Sequence, residues 1–166
     1  MYKYVLINII FSLHLFILHS QNYLVNTGCI VSIPQGTKMH LNGSLINQNT
    51  GYFINEDTVY ITGDITHSAS NNLFQNNGKG TVLLIGNNQE IDGTSVPNFN
   101  NLSLQGSGIK NISVDIRVKG FLYIKDKEFA LGNNTLFIDN IDTTAINRTT
   151  GYISTDASGF MQRAIG

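Results

Sequence analysis

Five short segments of alternating side chains return along the chain at a nearly constant interval, and no other feature constrains the fold as much. They begin at Lys38, Thr58, Thr81, Asn101 and Phe121, so their starts lie 20, 23, 20 and 20 residues apart. In each segment the second and fourth residues are aliphatic or Met: Met39 and Leu41, Val59 and Ile61, Val82 and Leu84, Leu102 and Leu104, Leu122 and Ile124. An extended strand puts residues i and i+2 on one side, so each segment has one apolar and one polar side. Alternation alone fits any half-buried strand. Alternation that returns every ~20 residues means that one structural step is repeated, each unit stacking on the last. The predicted fold is therefore all-β, a parallel β-helix or β-solenoid with ~20-residue coils. The alternative is an antiparallel β-sandwich, whose short strands recur every ~8–12 residues.

Further strand-like runs lie between the five: Gly51 to Ile54, Asn111 to Val118 with Ile112, Val114, Ile116 and Val118 on one side, Thr135 to Ile138, and Gly151 to Ser154. Two or three strands per coil follow from this. Asn42-Gly43, Asn77-Gly78, Asp92-Gly93, Gly86-Asn87-Asn88 and Gly132-Asn133-Asn134 supply turn chemistry. Only 13% of the residues are charged, against roughly 25% in average soluble proteins. Asn, Ser, Thr and Gly fill the polar share, and these residues favour turns over helices. After Ser20 no apolar pattern of helical period persists over three turns.

The N-terminus reads as an address. Met1 to Lys3 is a short basic start and Tyr4 to Leu18 an almost unbroken apolar run, the layout of a secretory signal peptide and too short for the ~20 residues of a membrane span. Residues 1–20 are thus expected to be removed after Ser20, leaving residues 21–166 as one β-solenoid domain that is secreted or at the cell surface, with no membrane span. The loss of Lys3 from 10 basic residues leaves 9 against 11 acidic ones, which offers no basic field for nucleic acid. The single cysteine, Cys29, cannot form an internal disulfide. Gly28-Cys29 loosely matches a lipidation box, but Asn26 stands where that box takes Leu, and Cys29 is expected to be a small half-buried residue.

No catalytic constellation stands out. A glycosidase needs two carboxylates facing each other across the substrate; Asp57 precedes a strand and Asp139 and Asp142 follow one, so turn and capping roles are expected. His40 and His67 have no neighbour at metal-ligand spacing. No catalytic, cofactor-binding or metal residues are predicted. Lys110, Arg117, Lys119, Lys125 and Lys127 form the one basic concentration and, interleaved with Asp115, Asp126 and Glu128, read as a solvated strand face with cross-strand ion pairs. Tyr60 and Tyr123 hold the same third position of their segments, between the aliphatic pair, and are expected to point outward as a candidate sugar-binding face.

The run Pro97-Asn98-Phe99-Asn100-Asn101-Leu102-Ser103-Leu104-Gln105-Gly106-Ser107-Gly108-Ile109-Lys110 resembles a phrase common in large secreted surface proteins of the Bacteroidota, where it introduces a coil of parallel β-helix. The units from Asp115 to Ile124, Leu131 to Ile138 and Gly151 to Arg163 resemble those that follow it there, so the likeness covers residues 97–166. These are adhesin-like cargo proteins of the type IX secretion system. The resemblance implies export, a right-handed coil and an adhesive or structural role, and it implies no catalytic residues. Such proteins continue into further β-domains and a sorting domain, so this chain, ending at Gly166, is expected to be an N-terminal fragment. The expected function is a secreted, non-catalytic, adhesin-like segment with extracellular glycans or cell-surface components as partners; the alternative is an extracellular module that binds or degrades polysaccharide.

Overall fold

The computed structural model describes residues 22–75, 79–156 and 158–166; the expected leader, residues 1–20, lies outside them, as does Asn77-Gly78. Among the described residues nineteen strands wind into about seven coils of about 21 residues. The first coil holds β1 (Tyr23–Asn26), β2 (Ile30–Ile33) and β3 (Lys38–Leu41), and the second β4 (Ser44–Asn49), β5 (Tyr52–Asn55) and β6 (Thr58–Ile61). Among its described residues the third holds β7 (Ile65–Ala69) and β8 (Thr81–Leu84). Next come β9 (Gln89–Gly93), β10 (Asn98–Phe99) and β11 (Asn101–Leu104), then β12 (Lys110–Ile112), β13 (Ile116–Val118) and β14 (Leu122–Lys125). The sixth coil holds β15 (Glu128–Ala130), β16 (Thr135–Ile138) and β17 (Ile146–Arg148), and the last β18 (Tyr152–Ser154) and β19 (Phe160–Arg163).

The column has three sides. One is the seven-stranded sheet β1-β4-β7-β9-β12-β15-β18, and another is the six-stranded sheet β3-β6-β8-β11-β14-β17. The third consists of β2-β5 and β10-β13-β16-β19, joined across the strand-poor third coil by a bridge from Phe53 to Phe74. Every strand pair is parallel, which excludes the antiparallel sandwich. Among the described residues there is no helix.

All five recurrent segments fall in the six-stranded sheet, and their aliphatic pairs stack in register: Met39 beside Val59, Val59 beside Val82, Val82 beside Leu102, Leu102 beside Leu122. This apolar column, with its counterparts from the other two sides, forms one continuous core. Phe53, Phe74 and Phe99 continue it on the third side, with ring centroids 5.8 and 5.7 Å apart. Backbone bonds also tie this stretch to the coil before it, from the Phe53 N–H to the Leu73 carbonyl at 2.9 Å and from the Gln75 N–H to the Phe53 carbonyl at 2.8 Å.

Two expectations need correction. The run from Asn111 to Val118 is two strands, not one. β12 belongs to the seven-stranded sheet and β13 to the third side, with a corner at Ser113–Asp115. Ile112, Ile116 and Val118 still all face the core, so the alternation reads straight through the bend. Cys29 is exposed, not half-buried. It sits in the turn between β1 and β2, where its N–H donates to Asn26 Oδ1 at 2.9 Å.

Candidate functional site

Polar side chains inside the column fix its corners. Asn26, Asn47 and His67 occupy successive levels of one inward column and are 4%, 0% and 1% exposed. Asn47 Nδ2 donates to the Gly51 carbonyl at 2.7 Å and lies 3.3 Å from His67 Nδ1. At Gly51 a Cβ would come within 2.8 Å of the side-chain amides of both Asn26 and Asn47 and would push them out of place. Burial pulls the His67 imidazole from 6.5 down to about 4, against a weaker opposing bond to the Asn71 backbone.

Lys110 is fully buried. Its ammonium donates to the Gly86 carbonyl at 2.7 Å, to Gln89 Oε1 at 3.0 Å and to the Ser107 carbonyl at 3.1 Å. Gln89 in turn donates to the Ile61 and Gly63 carbonyls. The pair thereby clamps corners of consecutive coils. Burial and the nearby Lys127 charge pull Lys110 from 10.5 down to about 8, opposed by Asp64. Three acceptors around one ammonium are what a buried cation needs to avoid a large desolvation penalty.

The carboxylates serve as turn and inter-coil ties. Asp57 accepts from the Gly36 N–H and the Thr58 hydroxyl, Asp115 from the Thr135 N–H, and Asp64 from the Glu90 N–H. Asp142 accepts from the N–H and hydroxyl of Thr144, which hold it below the usual carboxylate range. Among the described residues, no group of three or more His, Cys, Asp or Glu side chains could hold a metal.

Tyr60 and Tyr123 both lie in the six-stranded sheet, in one outward row that runs His40, Tyr60, Leu83, Ser103, Tyr123, Asn147. Three strand steps, ~14 Å, separate them. Tyr60 stacks on His40, with centroids 4.2 Å apart and planes 9° from parallel, so one of its ring faces is already covered. Tyr123 lies beside Phe121, with centroids 6.1 Å apart. Next to it Ser103 is only 4% exposed although it is on the outward side, and it accepts from Gln105 Nε2.

The basic concentration does not form a single face of ion pairs. Lys110 is inside the column. Arg117 is on the third side, paired with Asp139 and 4.6 Å above the Phe137 ring. Lys127 pairs with the adjacent Asp126 at the corner. Lys119 and Lys125 are exposed and have no ion pair among the described residues. Lys119 lies in the bend between β13 and β14, and Lys125 ends β14 with φ +57° at a register shift.

Charge is segregated between the two large sheets. The six-stranded sheet carries Lys38, Lys125 and Arg148 and no carboxylate. In the seven-stranded sheet the charges outside the core are Glu90, Asp92 and Glu128, all acidic.

A cavity beside Asn55, Phe74 and Lys119 has about 10 Å³, room for about one water. Larger openings lie at the column ends, about 430 Å³ around Ile146, Ile153 and Met161 and about 350 Å³ around Val31, Ile33 and Met39. No helix among the described residues is long and apolar enough to cross a membrane.

The fold defines a class, a three-sided parallel β-solenoid. Compared with protein-family models, curated proteins and solved structures, the chain matches none.

Proposed function

We propose that this chain is an exported, adhesin-like segment that binds extracellular glycans or cell-surface components through a sheet face and performs no catalysis. The observation that carries the reading is the outward side of the six-stranded sheet, where Tyr60 and Tyr123 stand in one register row with His40, Leu83, Ser103 and Asn147. A face held in register by parallel strands suits adhesion because little conformational entropy is lost on binding. The carboxylates support the non-catalytic part, since their hydrogen bonds tie turns and coils together. Export rests on the leader-like residues 1–20.

The test is to express the full chain with its own N-terminus in a secreting bacterium. The expected product is extracellular, begins at Gln21 and adheres to polysaccharide or cell-surface material without releasing reducing ends. Retention in the cytoplasm with Met1 to Ser20 intact overturns export. Release of reducing ends from a polysaccharide overturns the non-catalytic reading and favours a degrading module.

A further inference from the structure

We propose that the outward apolar surface of the first two coils, around the corner at residues 27–29, docks a second copy of this chain across a two-fold axis. The contact lies away from the six-stranded sheet, so it stands or falls independently of the glycan-binding reading.

Two pairs of strands build the surface. β1 and β4 set Val25 beside Ile46, while β2 and β5 set Ile30 beside Tyr52 and Ser32 beside Ile54. Burial alternates along each of these strands, and these residues hold the more accessible positions. Val25 is 50% and Ile30 59% exposed, and Ile46 and Ile54, though half-buried, do not pack on the core. The row to which Val25 belongs turns polar further along the column, running Val25, Ile46, Thr66, Asp92. The coils stack through their inward residues, so contiguous apolar side chains on the outside serve some other contact.

The absence of charge selects the occupant. From residue 22 to residue 55 the single Lys, Arg, Asp or Glu is Lys38, which lies in β3 on the six-stranded sheet. An isologous contact sets one surface against itself, so any charge in it meets its own like. The exposed apolar side chains at the other end of the column, Tyr152 and Met161 among them, instead share an opening with Arg148 and Arg163. An anionic bilayer is drawn by lysines and arginines, which this surface does not have. Cys29, the single cysteine, is exposed at the corner between the two strand pairs. Its turn is fixed, because its carbonyl accepts from Asn26 Nδ2 at 2.9 Å and from the Tyr52 N–H at 3.2 Å. Lipidation there would need cleavage just before Cys29 and so the loss of β1, which pairs with β4 over four residues. A two-fold axis at this corner brings the two Cys29 thiols together. Oxidised glutathione then links them: the sulfurs form one S–S bond and give up two protons and two electrons, which reduce the glutathione disulfide to two thiols.

A handful of side chains is less than the roughly 800 Å² per partner of a stable interface, so the pair is weak until it is linked. The product of full-chain expression is followed by sedimentation, in reductant and after oxidised glutathione is added. In reductant the expected result is a monomer–dimer equilibrium at about 0.1 mM protein. With oxidised glutathione it is a covalent dimer, absent in Cys29→Ser. Val25→Asp and Ile30→Asp set like charges across the axis, and each is expected to weaken the reduced dimer and slow the covalent one about tenfold. Ile109→Asp, at an exposed apolar position elsewhere on the column, is expected to change neither. All four side chains are exposed, and circular dichroism checks that the variants fold.

A covalent dimer that forms equally fast in the wild type and in Ile30→Asp overturns the proposal, because the thiols then meet by random collision. Oligomers larger than a dimer in Cys29→Ser also overturn it, since they need end-to-end stacking of the open coils. So does a monomer that floats with phosphatidylcholine vesicles and is released from them by Val25→Asp, which gives the surface to a bilayer instead. A monomer under every condition removes the contact altogether.

Discussion

Acid should unfold this solenoid through His67 in particular. The imidazole is 1% exposed, stacked in register above Asn47, and burial holds its pKa near 4 instead of 6.5. In the unfolded chain it titrates at the ordinary value, so as pH falls through 6.5 the unfolded state takes up a proton that the folded state refuses. The stability from this site is therefore full above about pH 6.5, declines as pH falls towards about 4, and changes no further below that. At ~1.4 kcal/mol per unit, the whole shift is worth about 3 kcal/mol, of which about 2.5 kcal/mol is lost by about pH 4.5. His67→Asn removes the titration and continues the Asn26–Asn47 column. Urea unfolding of both proteins at about pH 7.5 and about pH 4.5 isolates the effect, because the carboxylates that also titrate in this window are common to both. The wild type should lose about 2.5 kcal/mol more than the variant between the two conditions. Equal losses would refute the reasoning and mean that His67 takes up a proton in the folded state near its ordinary pKa.

Other substitutions test the packing. Lys110→Ala should cost about 3–5 kcal/mol in urea unfolding, because it leaves Gln89 Oε1 and the Gly86 and Ser107 carbonyls without their shared donor and opens a cavity. Gly106→Ala should lower stability by at least ~1–2 kcal/mol: φ is +67°, and a Cβ would come within 2.2 Å of the Gly86 and Ile85 carbonyl oxygens. A marked fall in the thermal midpoint is the expected readout, and an unchanged midpoint would contradict the close approach of these corners. Phe99→Ala, at 0% exposure beside Phe74, should cost about 3–5 kcal/mol. A cost below about 1 kcal/mol would show that the Phe74–Phe99 contact adds little to the packing of the third side.

Much of the architecture could be read from side-chain parity. Every recurrent segment that was expected to stack does so, in one sheet and in the expected phase. The bend at Ser113–Asp115 could not be read, because an alternating run keeps its inward parity when the strand turns a corner. The buried polar residues were masked in a different way. Lys110 shares parity with Ile112 and Ile116, His67 with Ile65 and Ala69, and Gln89 with Ile91, so position alone would have put all three inside the column. Residue type argued the other way, since lysine is almost never fully buried unless it is paired. Its partners come from Gly86 and Ser107, turn residues whose approach depends on register between coils.

The candidate site is harder to read than the fold for a reason built into the solenoid. Inward positions repeat because each must pack on its copy one coil away, and repetition is what makes them visible. Outward positions have no such partner, so a row that binds something is free to occur once. Tyr123 occurs in one coil, while its register partners are Ser103 in the preceding coil and Asn147 in the next. A binding row in this fold is therefore marked by its departure from its neighbours, and it can be recognised only after the register has shown which residues those neighbours are.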